Sequence, residues 1–409
     1  MNCRHCSTKL THPFIDLGSS PPSNAYLSDK AMKTSEKWYP LKVFVCNNCW
    51  LVQTEDFVGV NEMFSEEYAY YSSYSSSWLN HAKSYTKQMI DRFNLNSNSN
   101  VIEVAANDGY LLQYVKNKGI PCYGIEPTNG TATAARKKSI EIVEEFFGEE
   151  LAIELSNQKK QADLMVANNV LAHVPNINDF VKGFSILLKL DGVATFEFPY
   201  LVNLIEKNQF DTIYHEHYSY LSLSTVKTIF EFNGLKIFDV ELLKTHGGSL
   251  RVFAERSDRE QKRTESQIVK KLLKNESSSG YLTKDRYSRV QLNAEKAKNE
   301  LLEFLLLKKK QGKSIFAYGA AAKGNTFINF AGIRSDLIIA VADSNPQKQG
   351  KFMPGSRIPI ISEKVLASQK PDYVIILPWN LSDEITSNLS YMTKWGCKFV
   401  LAVPNLKIL

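Results

Sequence analysis

The chain has little that would place it in a membrane or on nucleic acid. Its 409 residues contain no apolar run long enough to span a bilayer, and residues 1–6 show no apolar signal region. Charged residues make up 22%, and the net charge of +6 is small for this length, which argues against a dense basic face. We therefore expect a cytoplasmic globular protein of about two to four domains, with neither a membrane nor a nucleic acid as partner.

Cysteine is also scarce, with six in the chain, and a cytoplasmic protein rarely depends on disulfides. Four of the six form two Cys-x-x-Cys pairs, Cys3/Cys6 and Cys46/Cys49. Four thiolates complete the tetrahedron that Zn²⁺ adopts in closed structural sites. The pattern predicts a small zinc-binding module over residues 1–66 with a scaffolding role, since so short a segment buries little core alone. The alternatives are reduced thiols without metal and a zinc ribbon that binds nucleic acid or protein.

Glycine is sparse where a nucleoside-binding domain would carry its first turn. Residues 101–112 predict a strand, a turn and a helix start, with Gly109 as the one glycine. The next strand ends at Glu126, at the spacing expected for a carboxylate that binds ribose hydroxyls. A third strand leads to Asn168 and Asn169, and ligands bind at this end of open α/β sheets. We predict an α/β domain over residues 67–255; an α/β core without a nucleoside is the alternative.

Histidine is limited to seven residues, and two of them flank Glu216. Histidine exchanges protons near neutral pH, so His215 and His217 are candidates for acid–base chemistry. Taken alone, the same stretch is equally typical of a hydrogen-bonded aromatic corner. His173 follows the third strand directly, and His246 precedes two glycines that permit close backbone approach. Each of these two also fits an ordinary loop histidine.

The last third of the chain predicts two helices that brace the molecule, and then a second α/β sheet, over residues 256–409. Residues 314–326 are a strand, a small-residue turn and a helix start with Gly319 and Gly324. A full Gly-x-Gly-x-x-Gly, which an NAD(P)-dependent oxidoreductase would need, is not present. Small residues still let backbone N–H groups approach a diphosphate at a helix N-terminus, and Lys323 adds positive charge. A degenerate domain used only for packing is the alternative.

In combination, these motifs resemble a known family. The sequence is similar to the S-adenosylmethionine-dependent C-methyltransferases that act on nucleotide-linked keto-deoxysugars, the sugar 3-C-methyltransferases. The resemblance spans essentially the whole chain in the same order. It rests on the paired Cys-x-x-Cys, Tyr68–Tyr74, Glu103–Gly109, Gly124–Pro127, Asn169–Val174, Tyr214–His217, the His-Gly-Gly-Ser segment and the C-terminal block. One departure is Ala106, where the family usually has Ser.

The resemblance implies a zinc-binding module, a class I Rossmann-like methyltransferase domain and a second Rossmann-like domain that holds the nucleotide sugar. It implies methyl transfer from S-adenosylmethionine to a carbon, C-3, of a 4-keto-6-deoxysugar through an enolate, in branched-chain deoxysugar biosynthesis. Zinc would be structural, and no catalytic metal is needed. His217, rather than His215, would be the base. Tyr214 and His173 would contact the keto oxygen or the sugar, and Glu216 would orient a ring or the substrate.

The resemblance also implies binding residues. Those for the cofactor are Glu103, Ala105, Asn107, Gly109, Glu126, Pro127, Asn168 and Asn169. Those for the substrate are Tyr68, Tyr70, His215, His246, Gly319, Lys323, Asn325, Thr326 and Asp343. The metal ligands are Cys3, Cys6, Cys46 and Cys49. The sequence leaves open whether the nucleotide is thymidine or guanosine diphosphate, and we expect a monomer.

Overall fold

The computed structural model describes residues 1–57 and 71–409. Its β-strands are β1 His12–Ser20, β2 Tyr39–Val45, β3 Val52–Thr54, β4 Val101–Val104, β5 Cys122–Ile125, β6 Glu141–Val143, β7 Ala162–Asn168, β8 Leu188–Pro199, β9 Ser219–Tyr220, β10 Leu235–Leu243, β11 Ser249–Arg256, β12 Ile315–Tyr318, β13 Val341–Ala342, β14 Ile360–Ile361, β15 Tyr373–Ile376, β16 Lys398–Leu401 and β17 Lys407–Ile408.

The α-helices alternate with these strands over most of the chain. They are α1 Ser76–Phe93, α2 Leu112–Lys116, α3 Asn129–Lys137, α4 Glu149–Asn157, α5 Ile177–Leu187, α6 Leu201–Glu206, α7 Leu223–Phe232, α8 Gln267–Ser278, α9 Val290–Lys310, α10 Ala322–Phe330, α11 Glu363–Ser368 and α12 Ser382–Asn388. Among the helices of the described residues, none is both long and apolar enough to cross a bilayer.

A four-stranded antiparallel sheet forms the N-terminal part, in the order β1-β2-β3-β9. In β2 the apolar residues Leu41, Val43 and Val45 are buried and alternate with half-exposed neighbours, so one face of the strand covers a core. The fourth strand, β9, comes from the middle of the chain and pairs with β3. This pairing joins the N-terminal part to the domain that follows it.

The middle domain contains a seven-stranded sheet in the order β10-β11-β8-β7-β4-β5-β6. The strands from β8 to β6 are parallel, and β11 and β10 complete the sheet in antiparallel fashion. All four residues of β4 are buried, as expected for a strand with helices on both faces. Helices α1 to α3 cover one face, and α4, α5, α7 and α8 cover the other.

The C-terminal sheet has the order β14-β13-β12-β15-β16-β17, parallel except for β17. The two predicted bracing helices are α8 and α9, and both pack within the chain. Val269 of α8 lies in the core of the middle sheet. Leu301 of α9 shares a core with Phe14 of β1 and Ile315 of β12. Our domain boundaries at residues 66 and 255 stay predictions, and the first lies outside the described residues.

Candidate active site

A cavity of about 480 Å³ lies where the three parts of the chain meet. Its walls include Val104 and Ile125 at the carboxyl ends of β4 and β5, Lys323 of α10, and Asn24 from the N-terminal part. Small-molecule sites typically measure about 300–1,000 Å³ and lie at this end of an open α/β sheet. The cavity therefore has the size and the place expected of a binding site.

The turn after β4 is strained and is held by Glu126. Ala105 and Asn107 have φ values of 59° and 49°, a left-handed conformation that is uncommon outside glycine. The backbone N–H of Asn107 donates to Glu126 Oε2 at 2.9 Å, and that of Thr128 donates to Oε1 at 3.0 Å. Burial raises the pKa of Glu126, although these N–H groups oppose the shift. Strained backbone of this kind is typical of ligand-binding sites.

Most of the predicted cofactor residues line the cavity, namely Ala105, Asn107, Glu126, Pro127, Asn168 and Asn169. Glu103 is instead fully buried within β4, where burial raises its pKa well above the usual value. Gly109 has a φ of 73°, and an added Cβ would lie 2.4 Å from Ile140 Cδ1. Neither Glu103 nor Gly109 is among the residues that line the cavity.

Two amide side chains give the cavity wall unused hydrogen-bonding capacity. Asn168 is buried, and within the described residues neither its Oδ1 nor its Nδ2 has a partner. Asn169 Nδ2 donates to His246 Nε2 at 3.4 Å, while its Oδ1 has no partner in the same part of the chain. Buried polar groups are normally paired. Unpaired amide atoms in a cavity wall therefore fit a polar ligand.

His173 and His217 lie side by side, with ring centroids 4.6 Å apart. His217 Nδ1 donates to the Thr212 carbonyl at 2.8 Å, and His173 Nδ1 donates to the Glu216 carbonyl at 2.9 Å. Because a carbonyl can only accept, each ring carries its proton on Nδ1 and keeps Nε2 as an acceptor. Burial lowers the pKa of His217 well below its usual value and that of His173 to about 4. Both rings are therefore neutral at pH 7.

The other members of this segment have different surroundings. Tyr214 lines the cavity, and its ring lies 4.0 Å from that of His217. Glu216 accepts from Asn24 Nδ2 at 3.1 Å, and burial raises its pKa. His215 turns toward the N-terminal part, where its Nε2 donates to the Pro40 carbonyl at 3.2 Å. The structure thus brings Tyr214, Glu216 and His217 to the cavity with His173, and gives His215 a contact elsewhere.

The C-terminal domain contributes two lysines to the cavity wall, Lys323 and Lys348, which we call the cationic corner. Lys323 Nζ donates to Asn380 Oδ1 at 2.8 Å and lies 4.7 Å above the Trp379 ring. Burial lowers the pKa of Lys323 to about 8, although Asp211 opposes the shift. Trp379 Nε1 donates to Asp211 Oδ2 at 2.7 Å. His246 also lines the cavity, and burial lowers its pKa to about 4.

The remaining predicted substrate residues of the C-terminal domain are not among those that line the cavity, and two of them bond to backbone instead. Thr326 Oγ1 donates to the Ile213 carbonyl at 2.8 Å, one residue before Tyr214. Asp343 accepts the N–H groups of Ala320 and Asn345, both at 2.8 Å. Gly319 packs so closely on Pro378 that a Cβ would lie 2.3 Å from Cγ. Asn325 is buried in α10. Tyr68 and Tyr70 lie outside the described residues.

The structure adds residues that the sequence analysis did not select. Trp78 lines the cavity, stacks on His81 at 4.8 Å and meets His246 edge-on at 5.2 Å. Lys348 also lines the cavity, and its Nζ lies 3.6 Å from Asp343 Oδ2. Trp78 lies close in sequence to Tyr68–Tyr74, a segment on which the family resemblance rests, and that position was a usable signal. Asn24 had no such signal.

The four cysteines of the two Cys-x-x-Cys pairs come together as predicted. Their sulfur atoms all lie within 4.8 Å of one another. The separations are 3.5 Å for Cys3–Cys49 and for Cys6–Cys46, and 3.6 Å for Cys6–Cys49. A tetrahedral zinc with Zn–S bonds of about 2.3 Å places sulfurs roughly 3.8 Å apart. The cluster therefore fits a structural Zn²⁺.

Family models match three successive parts of the chain. Residues 3–64 match the model described as "Putative zinc binding domain", residues 78–240 match "Methyltransferase domain", and residues 244–404 match "C-methyltransferase C-terminal domain".

Relatives and solved structures were found as well. The C-methyltransferase NovU of Streptomyces niveus is 32% identical over 409 residues, which cover 100% of this chain and 96% of that protein. Magnesium protoporphyrin IX methyltransferase of Synechocystis is 15% identical, with 44% of this chain and 79% of that chain covered and a TM-score of 0.34. An S-adenosylmethionine-dependent methyltransferase of Clostridium acetobutylicum is 12% identical, with 44% and 92% covered and a TM-score of 0.36. On the full-length match to NovU, this chain belongs to the C-methyltransferase family.

Proposed function

We propose that this protein uses S-adenosylmethionine to methylate C-3 of a nucleotide-linked 4-keto-6-deoxysugar through an enolate. The observation that carries the proposal is His217. It is a buried, neutral imidazole whose Nδ1 proton is committed to the Thr212 carbonyl. It lies in the wall of a cavity that is also lined by Glu126, which follows β5, and by Lys323 of the C-terminal domain.

The pocket formed by the middle sheet suits the methyl donor. S-adenosylmethionine supplies an electrophilic methyl group on its sulfonium. Glu126, at the end of β5, would accept hydrogen bonds from the ribose hydroxyls. The amide of Asn168, which has no partner among the described residues, would bind another polar part of the donor. Trp78 supplies an apolar wall on the same side of the cavity.

The histidine pair suits proton removal from the sugar. A carbon is a poor nucleophile until a proton is lost, and a neighbouring ketone makes that proton removable as an enolate. His217 would accept the proton on Nε2, and a positioned base contributes about 10²–10⁴-fold to the rate. His173 Nε2 is also an acceptor, so it suits a sugar hydroxyl. Tyr214 carries a hydroxyl donor and suits the keto oxygen.

The cationic corner suits the nucleotide diphosphate. Lys323 and Lys348 both line the cavity from the C-terminal domain. The first turn of α10 begins at Ala322, next to the same wall, and backbone N–H groups at a helix N-terminus favour anions. Ammonium groups and a helix N-terminus together would hold the diphosphate while the sugar reaches His217.

Exchange of the C-3 proton with solvent tests the proposed base separately from cofactor binding. We expect wild-type protein to exchange the C-3 proton of a thymidine or guanosine diphosphate 4-keto-6-deoxysugar with deuterated water. His217→Gln should slow this exchange by about 10²–10⁴-fold while its affinity for S-adenosylhomocysteine, measured by calorimetry, stays unchanged. His12→Gln, in β1, is the matched control and should exchange normally.

Two results would contradict the proposal. If wild-type protein binds no S-adenosylhomocysteine, the methyl-donor assignment fails. If His217→Gln exchanges at the wild-type rate, His217 is not the base; loss of exchange in His215→Gln alone would then move the role to His215.

A further inference from the structure

The backbone around His217 is anchored by the zinc-binding module. His217 lies in an irregular segment two residues before β9. Thr54, the last residue of β3, donates its hydroxyl to the His217 carbonyl at 2.8 Å and its N–H to the Tyr218 carbonyl at 3.1 Å. Gln53 then pairs with Ser219 in the sheet. Strand β3 of the zinc-binding module therefore holds the backbone carbonyl groups of His217 and Tyr218 in place.

Arg4 links the same strand to the segment that carries His173. Its side chain is only 6% exposed. One guanidinium nitrogen donates to the Pro175 carbonyl at 2.9 Å, two residues after His173, and the other donates to the Thr54 carbonyl at 2.8 Å. Arg4 follows Cys3 directly in sequence. The cysteine cluster, strand β3 and both histidine segments are thus joined by buried and partly buried hydrogen bonds.

Gln53 completes the connection between the strand and the cysteine cluster. Its Oε1 accepts the backbone N–H of Arg4 at 2.9 Å, and its Nε2 lies 3.2 Å from Cys3 Sγ. Gln53 and Thr54 are both buried. Displacing buried polar groups that are paired in this way costs free energy. A shift of the cysteine cluster would therefore also shift β3.

We propose that Thr54 and Arg4 are positioning residues, through which the zinc-binding module sets the placement of His217 and His173 in the cavity. The inference rests on the proposed role of His217 as base. It gives the module a function beyond stabilising the N-terminus. Proton transfer requires the base within hydrogen-bond reach of the proton, and a displacement of about 1 Å can cost 10²-fold in rate. The hydroxyl of Thr54 is positioned to prevent such a displacement.

The central variant is Thr54→Val, which keeps the shape of the side chain and removes the hydroxyl donor. We expect it to slow C-3 proton exchange by about 10- to 100-fold, with zinc content and S-adenosylhomocysteine affinity unchanged. Thr54→Ser restores the donor and should restore exchange. The matched control is Thr86→Val: Thr86 is also buried and donates its hydroxyl to a backbone carbonyl, that of Ala82, but it lies in α1 and does not contact the cysteine cluster. It should exchange at the wild-type rate.

A second readout is independent of activity. In protein labelled with ¹⁵N-histidine, the ring signals of His217 and His173 are assigned from their Gln variants. Thr54→Val should shift the His217 signal, and Arg4→Gln should shift the His173 signal. If Thr54→Val does not fold, Arg4→Gln carries the test with the same measurements of exchange, zinc and affinity.

The outcomes separate this inference from the proposed function. Unchanged exchange and unchanged ring signals in both variants would overturn the positioning role. A parallel loss of zinc or of S-adenosylhomocysteine affinity would also overturn it, because that result shows only a general structural role. If Thr54→Val loses C-3 proton exchange while His217→Gln exchanges normally, His217 is not the base. A shifted His217 ring signal in Thr54→Val would then still support the positioning role of Thr54.

Discussion

The buried ion network behind the cavity wall gives a prediction that can be worked out from the contacts. Glu197 in β8 is fully buried and accepts hydrogen bonds from Arg251 Nε and from His81 Nε2, both at 2.7 Å. Burial opposes ionisation of Glu197, but His81 and Arg251 outweigh it and lower its pKa. Changing Glu197→Gln removes the charge with almost no change in volume.

The expected loss in the free energy of unfolding follows from the contacts that Arg251 keeps when Glu197 is neutral. The Arg251 side chain is 4% exposed, so its guanidinium group cannot be solvated by water when Glu197 is neutral. Removing one partner of a buried ion pair costs about 3–5 kcal/mol. Glu241 still accepts from Arg251 Nη1 at 2.7 Å, which places the expected loss near the lower limit, about 3 kcal/mol in the free energy of unfolding.

Urea denaturation followed by tryptophan fluorescence measures this loss. Trp78 stacks on His81, so its emission reports on the affected region. The control is Glu231→Gln, whose partner Lys227 forms an exposed pair on α7, and it should change stability by less than about 0.5 kcal/mol.

A double variant tests the cause. Glu197→Leu with Arg251→Leu removes both charges, and it should be more stable than Glu197→Leu alone because no unpaired charge is left buried. A loss below about 1 kcal/mol for Glu197→Gln, or a double variant less stable than both single variants, would refute this account of the network.

Other perturbations have expected outcomes of their own. Gly109→Ala should lower the free energy of unfolding by about 1–3 kcal/mol in the same denaturation assay, because of its positive φ and the contact with Ile140; unchanged stability would contradict the strained turn. Lys323→Met should raise the KM for the nucleotide sugar by about 10- to 100-fold with a smaller effect on kcat; an unchanged KM would exclude contact with the diphosphate. His173 and His246 have folded pKa values of about 4 against 6.5 for the free group. Between these two pH values the unfolded chain binds more protons than the folded chain. Melting scans should therefore show full stability above about pH 6.5 and a loss of stability as the pH falls toward 4, about 2 kcal/mol per histidine by pH 5. Removing zinc with a chelator should slow C-3 proton exchange before the middle domain unfolds; simultaneous loss by circular dichroism would show that the module instead stabilises the whole fold.

The sequence was sufficient for features that depend on local spacing. Two Cys-x-x-Cys pairs predicted the sulfur cluster, because each knuckle brings its own pair of thiolates to one point. Apolar runs predicted β4, β5 and β7, and their order predicted that Glu126 and Asn168 lie at one edge of one sheet. These predictions need only the local sequence, because it determines which residues form each strand and which side chains follow directly after it.

Only the tertiary structure decided which way the side chains turn and which distant segments pair. The strand β9 is two residues long, too short for any periodicity to predict its pairing with β3. Without the family resemblance, the residue pattern does not distinguish His215 from His217, yet one ring turns to Pro40 and the other to the cavity. Long-range pairing and burial depend on contacts between residues far apart in the chain, so local sequence pattern does not encode them.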